Sequence, residues 1–254
     1  KALGADHPST LTSVNNLAGL YWNMKQLNQS IPLFEDALKR RKAKLGDDHP
    51  DTLNTLGNLG VNYKDAGRLE EAIPLLEQAY KSSRKYPKLA FVGNPLLEAY
   101  GKAGKRMEAA QLAIELLAEK RQRLKPDSPE LSGLLAATGM TLLDFDPATA
   151  ETVLRECLAI REKLALTAWT TANAKSLLGG ALLLQKNYAD AEPLLLAGYE
   201  GLKADEQAIP PPARSNIPDA MQRLVDLYDA IGKPDEAAKW RKELEAAKAE
   251  GATP

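Results

Sequence analysis

The sequence contains nearly the same nineteen residues twice, 42 positions apart. The first copy, LGADHPSTLTSVNNLAGLY, spans 3–21, and the second, LGDDHPDTLNTLGNLGVNY, spans 45–63. Repetition at a fixed period of roughly 20–50 residues indicates an array of small supersecondary units, since no unit can bury its apolar face alone. We therefore expect a stack of repeats rather than a fold around one central core.

A second pattern extends the array over the whole chain. Six segments begin a helical apolar stripe with a small residue, at steps of 42, 37, 41, 41 and 46 residues. These small anchors are Ser30, Ala72, Ala109, Ala150, Ala191 and Ala237. A turn that contains glycine, such as DAGR at 65–68, precedes several of them, and glycine suits the left-handed residue after a helix C-terminus. Each unit therefore predicts two α-helices joined by a short turn.

The first helix of each unit has its own signals. Apolar or small residues recur at i, i+3, i+4 and i+7, the spacing of one helix face, and in the second unit they are Leu56, Leu59, Gly60 and Tyr63. His-Pro pairs place Pro8 and Pro50 at the first helical position, where a missing N–H costs nothing. The preceding histidines are interpreted as helix-entry residues.

These motifs resemble a known repeat family. The pattern W/V-x2-L-[GA]-x2-Y followed by A-x3-[FL]-x2-A resembles the tetratricopeptide repeat, and the longer period with LG-x-DHP-x-TL is similar to its kinesin-light-chain subfamily. The resemblance is strong at 3–85 and 167–249 and weaker at 86–145. The stretches 168–206 and 219–248 also resemble the C-terminal end of large bacterial serine/threonine protein kinases that carry such repeats.

The resemblance implies an all-α fold, a right-handed superhelix (α-solenoid) of about six helix-turn-helix repeats with a polar C-terminal capping helix. We expect one domain over 1–249 and a disordered tail at 250–254. KALGADHP reads like the end of a preceding repeat, so the chain is expected to be a piece of a longer protein. The predicted repeats are 8–44, 50–85, 87–123, 128–164, 168–204 and 213–249.

Prolines mark the expected irregularities. Pro32, Pro74 and Pro193 share one register of the second helix, where each should bend it. Around Pro95 the sequence predicts either a shortened helix capped by Asn94 or a kink, and an irregular third unit. The segment 208–218, AIPPPARSNIP, is expected to form an extended bridge.

Several function classes find no support in the sequence. The formal net charge is −1, so bulk attraction to nucleic acid is not expected, and no apolar run reaches the ~18 residues of a membrane span. Kinase motifs are missing, because LDFDP lacks the glycine of D-F-G, and GKAGKR lacks phosphate-loop spacing. Two histidines and Cys157 make a zinc site unlikely, and Cys157 is interpreted as a small core residue. The expectation is a cytoplasmic, non-enzymatic piece without cofactor or metal.

The resemblance also implies a concave groove lined by the first helices, where asparagines at the positions of Asn16 and Asn58 clamp ligand backbone. An asparagine both donates and accepts hydrogen bonds, so it suits the backbone of an extended peptide; the alternative is a ladder of asparagines that joins neighbouring repeats. Lys64 and Lys102 lie one turn away from where a carboxylate clamp would need them, so such a clamp is not expected. The candidate groove residues are Asn15, Asn16, Trp22, Asn23, Asn54, Asn58, Lys64, Asn173, Leu177 and Arg223.

The predicted function is a protein-interaction module that binds a peptide of a partner, in the recruitment region of a bacterial signalling kinase. The alternative is a structural scaffold or self-association module without a specific peptide ligand. We expect a monomer or weak self-association and a protein or peptide partner. No nucleic acid or membrane insertion is expected.

Overall fold

The computed structural model describes residues 4–251, with side chains to 249. This part of the chain contains α-helices, three short 3₁₀ helices and no strand. None of its helices is both long and apolar enough to cross a membrane. The α-helices are α1 (Pro8–Asn23), α2 (Leu27–Leu45), α3 (Pro50–Asp65), α4 (Leu69–Ser83), α5 (Gly93–Lys102), α6 (Arg106–Arg121), α7 (Pro129–Leu143), α8 (Pro147–Lys163), α9 (Ala168–Leu184), α10 (Tyr188–Ala204), α11 (Asn216–Ala230) and α12 (Pro234–Gly251).

The chain divides into two compact units between Leu112 and Ala113, within α6. In each unit, consecutive helices pack as pairs, and the second helix of one pair packs against the first helix of the next. The N-terminal unit contains the pairs α1–α2 and α3–α4 together with α5. The second unit contains the pairs α7–α8, α9–α10 and α11–α12. The expectation of one domain over 1–249 stays a prediction.

Helix entry follows the sequence signals. His7 and His49 are N-caps, and their Nδ1 atoms accept hydrogen bonds from the backbone amides of Ser9 and Asp51 at 3.2 and 3.1 Å. The interpretation of both histidines as helix-entry residues is confirmed. The proline that follows each one occupies the first helical turn, where no intrahelical N–H bond is lost.

The six small anchors are all fully buried, at 0% exposure. In the second, fourth and fifth units the partner helix carries a glycine whose missing Cβ makes room for a leucine, and in the first unit the equivalent residue is the small Ala18. A Cβ added at Gly60 would lie 2.9 Å from Leu76 Cγ, and one added at Gly139 would lie 2.5 Å from Leu154 Cγ. Close approach of the two helices in a pair therefore depends on small residues on both sides.

Neighbouring pairs are joined by buried arginines in two places. Arg41, on α2, donates to the Asp51 carbonyl at 2.8 Å and to Thr55 Oγ1 at 2.7 Å, both on α3. Arg161, on α8 and in the same register, donates to the Thr170 carbonyl on α9. Burial lowers the pKa of both guanidinium groups. These bonds fix where the next first helix lies.

The irregular segments differ in part from expectation. α2, α4 and α10 continue through their internal prolines. A 3₁₀ helix (Pro87–Val92) leads into the short α5, so the third unit is irregular as predicted. This helix starts at Gly93 after Val92 and has Pro95 as its third residue, so the alternative in which Asn94 caps it is wrong. The prediction of an extended bridge at 208–218 is wrong, because two 3₁₀ turns (Glu206–Ala208 and Pro211–Ala213) and the start of α11 occupy this stretch. Of the predicted tail at 250–254, the first two residues are helical and 252–254 lie outside the described residues.

Candidate functional site

The N-terminal unit contains a groove of about 600 Å³ between α1, α3 and the segment that leads into α5. The first helices of neighbouring repeats form its walls, so one helix face recurs along it. Asn16, Asn58 and Pro95 occupy the same register of three successive units and all line the groove. Its lining residues are Asn15, Asn16, Gly19, Leu20, Trp22, Asn23, Phe34, Asn58, Val61, Asn62, Lys64, Phe91 and Pro95.

Two of the lining amides have no protein partner among the residues that the structure describes. Asn16 and Asn23 are exposed on α1, and neither side chain makes a hydrogen bond there. Asn58, on α3, is half-buried, and its Nδ2 donates to Asn54 Oδ1 at a long 3.3 Å. Each of these amides can offer both a donor and an acceptor to a bound chain.

Other asparagines join the repeats instead. Asn15 Oδ1 accepts a hydrogen bond from Thr55 Oγ1 at 3.1 Å. Asn62 is 2% exposed; its Oδ1 lies 2.7 Å from Ser30 Oγ, and its Nδ2 donates to the Asn58 carbonyl at 2.8 Å. Both alternatives left open by the sequence, a ladder and a ligand contact, therefore have residues that fit them. Sequence reasoning missed Asn62 because its counterpart in the first unit is Leu20.

Trp22 forms part of the groove wall and also links two repeats. Its indole is half-buried rather than exposed, and Nε1 donates to Asp65 Oδ2 at 2.6 Å. Because the N–H is bonded, the ring is held in one orientation while its face remains part of the lining.

A network of charges closes one end of the groove. The ammonium group of Lys64, whose side chain is 8% exposed, lies 2.9 Å from Asp65 Oδ1 and also contacts Glu98. Glu98 in turn accepts from Lys102 at 2.7 Å. Burial acts to lower the pKa of Lys64, but the hydrogen bonds that its ammonium group donates to Glu98 and Asp65 outweigh this effect, so the pKa is raised. Hydrogen bonds from Lys102 and Lys64 hold the pKa of Glu98 below its usual range.

Two exposed apolar side chains in the lining were missed by the sequence analysis. Leu20 is 59% exposed, and Phe91 is 41% exposed. Leu20 carried a signal, since it stands where the next unit has a polar Asn62. Phe91 carried none, because it lies in the irregular 3₁₀ segment before α5.

The remaining predicted site residues belong to the second unit and lie in a different environment. Asn173 is half-buried. Leu177 is 2% exposed and lies in the core of its unit, so it is not available for ligand contact. Arg223 Nη1 donates to Ser176 Oγ at 3.0 Å, its Cδ lies 3.0 Å from where a Cβ on Gly180 would be, and burial lowers its pKa. Arg223 therefore packs against α9 at Ser176 and Gly180.

Comparison with known proteins supports the repeat assignment. Residues 9–85 match the tetratricopeptide repeat family, so this stretch contains such repeats. None of the curated proteins matches the chain. The prediction of an all-α fold of the tetratricopeptide type is confirmed by solved structures of similar fold.

Three of these structures illustrate the similarity, which at such identities concerns the fold alone. Tetratricopeptide-like repeats of a Podosopora anserina kinesin light chain share 23% identity at a TM-score of 0.62, covering 78% of this chain and 98% of that one. A tetratricopeptide repeat protein from Parabacteroides merdae shares 16% identity at a TM-score of 0.65, covering 96% and 80%. The BtubC (BKLC) protein of P. vanneervenii shares 15% identity at a TM-score of 0.57, covering 90% and 94%.

Proposed function

We propose that the N-terminal unit binds an extended peptide segment of a partner protein in the groove between α1 and α3. The observation that carries the proposal is the pair of exposed, unbonded amides, Asn16 and Asn23, beside a fixed indole and an exposed leucine. Tetratricopeptide repeats are generally protein-interaction modules, which agrees with this use of the groove.

The groove chemistry suits a peptide backbone. An extended segment presents alternating N–H and C=O groups along its length at about 3.3 Å per residue, and side-chain amides can pair with either. Asn16 and Asn58 stand on neighbouring first helices in equivalent positions, so they can contact successive parts of one ligand chain. The side-chain amide of the half-buried Asn58 donates only one long hydrogen bond of 3.3 Å, to Asn54 Oδ1, and a ligand carbonyl can replace Asn54 as the acceptor.

We further propose that this module serves a larger bacterial signalling kinase in the cytoplasm as its recruitment region. The support is the resemblance of 168–206 and 219–248 to the C-terminal ends of such kinases. The sequence here contains no kinase motif, so catalysis would belong to another part of that protein.

A second candidate is a scaffold or self-association module, and a separate observation favours it. Leu17 on α1 and Met24, the residue that follows this helix, are 43% and 62% exposed, whereas Leu59, the equivalent of Leu17 on α3, is 3% exposed. Exposed apolar side chains on one helix face favour contact with another protein surface. In this interpretation Asn15 and Asn62 join the repeats, and the exposed Asn16 and Asn23 have no ligand.

The test is a peptide display selection against the chain and against an Asn16→Ala/Asn58→Ala double variant of matched thermal stability. We expect an enriched consensus that binds the parent and loses about tenfold or more in affinity with the variant, as for the central contacts of an interface. Asn28→Ala, which removes an exposed asparagine outside the groove, is the matched control and should bind like the parent.

The two candidates give opposite results. No enrichment, or a consensus indifferent to the double variant, would contradict the groove proposal. Light scattering over a range of concentrations then tests self-association. A mass that rises with concentration and falls back in Leu17→Ser/Met24→Ser would support the scaffold.

A further inference from the structure

The charges at the groove carry information about its ligand that goes beyond peptide binding in general. Lys64 is the one cationic side chain among its described lining residues, and two carboxylates already neutralise it. Its side chain is 8% exposed. A ligand carboxylate could reach this ammonium only by displacing Glu98 or Asp65, so little free energy would be gained.

The nearby cations act on the same carboxylates. Lys102 lies 2.7 Å from Glu98, and Lys25 adds its charge to the surroundings of Asp65, which also accepts from the Trp22 indole and from Lys64. Lys64, Asp65, Glu98 and Lys102 together carry no net charge. Because these four charges are paired within the protein, the described lining of the groove offers neither a free cation for an acidic ligand nor a free anion for a basic one.

What the groove does offer is apolar surface. Leu20 and Phe91 expose 59% and 41% of their surface, and Val61, Pro95 and the fixed Trp22 ring complete the wall. Burying apolar surface stabilises a complex by about 25 cal/mol per Å². Trp22 is already oriented by its bond to Asp65, so little side-chain entropy is lost when a ligand packs against it.

We infer that the groove recognises an uncharged internal segment of its partner, anchored by one bulky apolar side chain against Leu20, Trp22 and Phe91 and held through its backbone by the asparagine amides. This rests on the proposed function. A free C-terminal carboxylate and acidic or basic flanking residues contribute little to the affinity. The groove therefore binds a segment within the partner's chain and does not require the partner's C-terminus.

The experiment uses the peptide consensus from the display selection, with affinity measured by fluorescence polarisation. Replacing the apolar anchor by alanine should weaken binding about tenfold or more, whereas amidating the C-terminus should change it less than about twofold. The affinity should also change less than about threefold between low and high salt, because screening acts on exposed charge pairs.

A matched pair of protein variants tests the anchor site. Leu20→Asp should weaken binding about tenfold or more, while Leu184→Asp, a similarly exposed leucine (54%) of the second unit, should leave it unchanged. Binding that survives Leu20→Asp, or that needs the free carboxylate or falls steeply with salt, would overturn this inference. Such a peptide would still lose affinity with the Asn16/Asn58 variant if the proposed function holds. The failure of all peptides would overturn both.

Discussion

The first helices α3 and α9 occupy the same place in their repeats but are used differently. α3 carries Asn58 and Lys64 on the face that lines the groove. At the position of Asn58, α9 carries Leu177, which is buried, and two glycines follow at 179 and 180. Gly180 stands where α3 has Val61, and a Cβ added at Gly180 would lie 3.0 Å from Arg223 Cδ. The same register can therefore line an open groove or lie in a packed interior, depending on which side chains the neighbouring helices place over it.

The close packing of the second unit is expected to be its most sensitive feature. A Cβ added at Gly198 on α10 would lie 2.6 Å from the backbone nitrogen of Ser176 on α9, and backbone cannot turn away as a side chain can. We predict that Gly198→Ala destabilises the protein by about 2–4 kcal/mol, measured by urea denaturation. Gly133→Ala on α7 is the control, since nothing lies within 4 Å of its Cβ, and it should be neutral or slightly stabilising. Equal effects of the two variants would show that the helices can separate without cost.

The hydrogen bond between Ser30 and Asn62, which joins the first two repeats, should produce the next largest effect on stability. Ser30 Oγ lies 2.7 Å from both Asn62 Oδ1 and the Ala18 carbonyl, so Ser30→Ala removes the one hydroxyl that these two acceptors share, and we predict a loss of about 1–3 kcal/mol in the free energy of unfolding. Adding Asn62→Leu, which copies Leu20, should cost less than the sum of the two single changes, because the orphaned polar group is removed. A double-mutant cycle by chemical denaturation checks this. Strict additivity would show that the two side chains do not depend on each other.

Each unit contains a hydrogen bond from a tyrosine hydroxyl to a glutamate, Tyr63 to Glu35 and Tyr228 to Glu192, and these two contacts predict that the free energy of unfolding falls at alkaline pH. Burial and a hydrogen bond to Glu35 raise the pKa of Tyr63 to about 12, and burial with a hydrogen bond to Glu192 does the same for Tyr228. A raised pKa favours the protonated folded state, so this contribution is complete below about pH 10, the unfolded value, and is lost as pH rises toward 12.

Thermal melts between pH 8 and 12 measure this dependence. Tyr63→Phe should weaken the alkaline loss in the N-terminal unit, and Tyr228→Phe should do so in the second. Tyr188→Phe is the control, because this half-buried tyrosine on α10 makes no phenolic hydrogen bond within the described part of the chain. An unchanged alkaline slope in both Tyr63→Phe and Tyr228→Phe would contradict the assignment.

The smallest predicted effect concerns a turn that occurs in both units. Gly67 and Gly232 follow their first helices with φ of +76° and +71°, as the sequence predicted, whereas Lys25 and Lys186 hold the same position at +60° and +63°. A left-handed conformation costs a non-glycine residue about 1 kcal/mol, so Lys186→Gly and Lys25→Gly should each stabilise by about 0.5–1 kcal/mol. Precise denaturation curves of each variant and of the parent protein test this. A destabilised Lys186→Gly would contradict the role of backbone strain there.

Much of the fold could be predicted because the residues that determine helix entry, helix ends and helix packing lie within each repeat. The small anchors, the His-Pro entries and the turn glycines are local signals, and each lies where the sequence placed it. Cys157 is fully buried as expected, and burial raises the pKa of its thiol. The segment 208–218 could not be predicted in detail, since proline excludes regular helix but does not choose between 3₁₀ turns and an extended chain.

The site was harder to predict because it depends on partners in neighbouring repeats. The register identified Asn16 and Asn58 as lining residues, but not that Asp65 bonds Trp22 or that Glu98 neutralises Lys64. Leu177 shows the converse limit. Its register matches Asn58, yet packing against neighbouring helices buries it. A repeat pattern specifies which face a residue occupies, and the neighbouring side chains decide whether that face stays open.

The bond between Trp22 and Asp65 also gives the molecule a built-in optical reporter. Trp22 is the indole of the N-terminal unit, while Trp169 and Trp240 belong to the second, where the ring of Trp240 meets Tyr199 edge-on at 4.8 Å. In a Trp169→Phe/Trp240→Phe background, fluorescence would arise from the groove alone. An apolar side chain that displaces water from this ring should shift its emission to the blue, so binding to the native groove can be followed without any label.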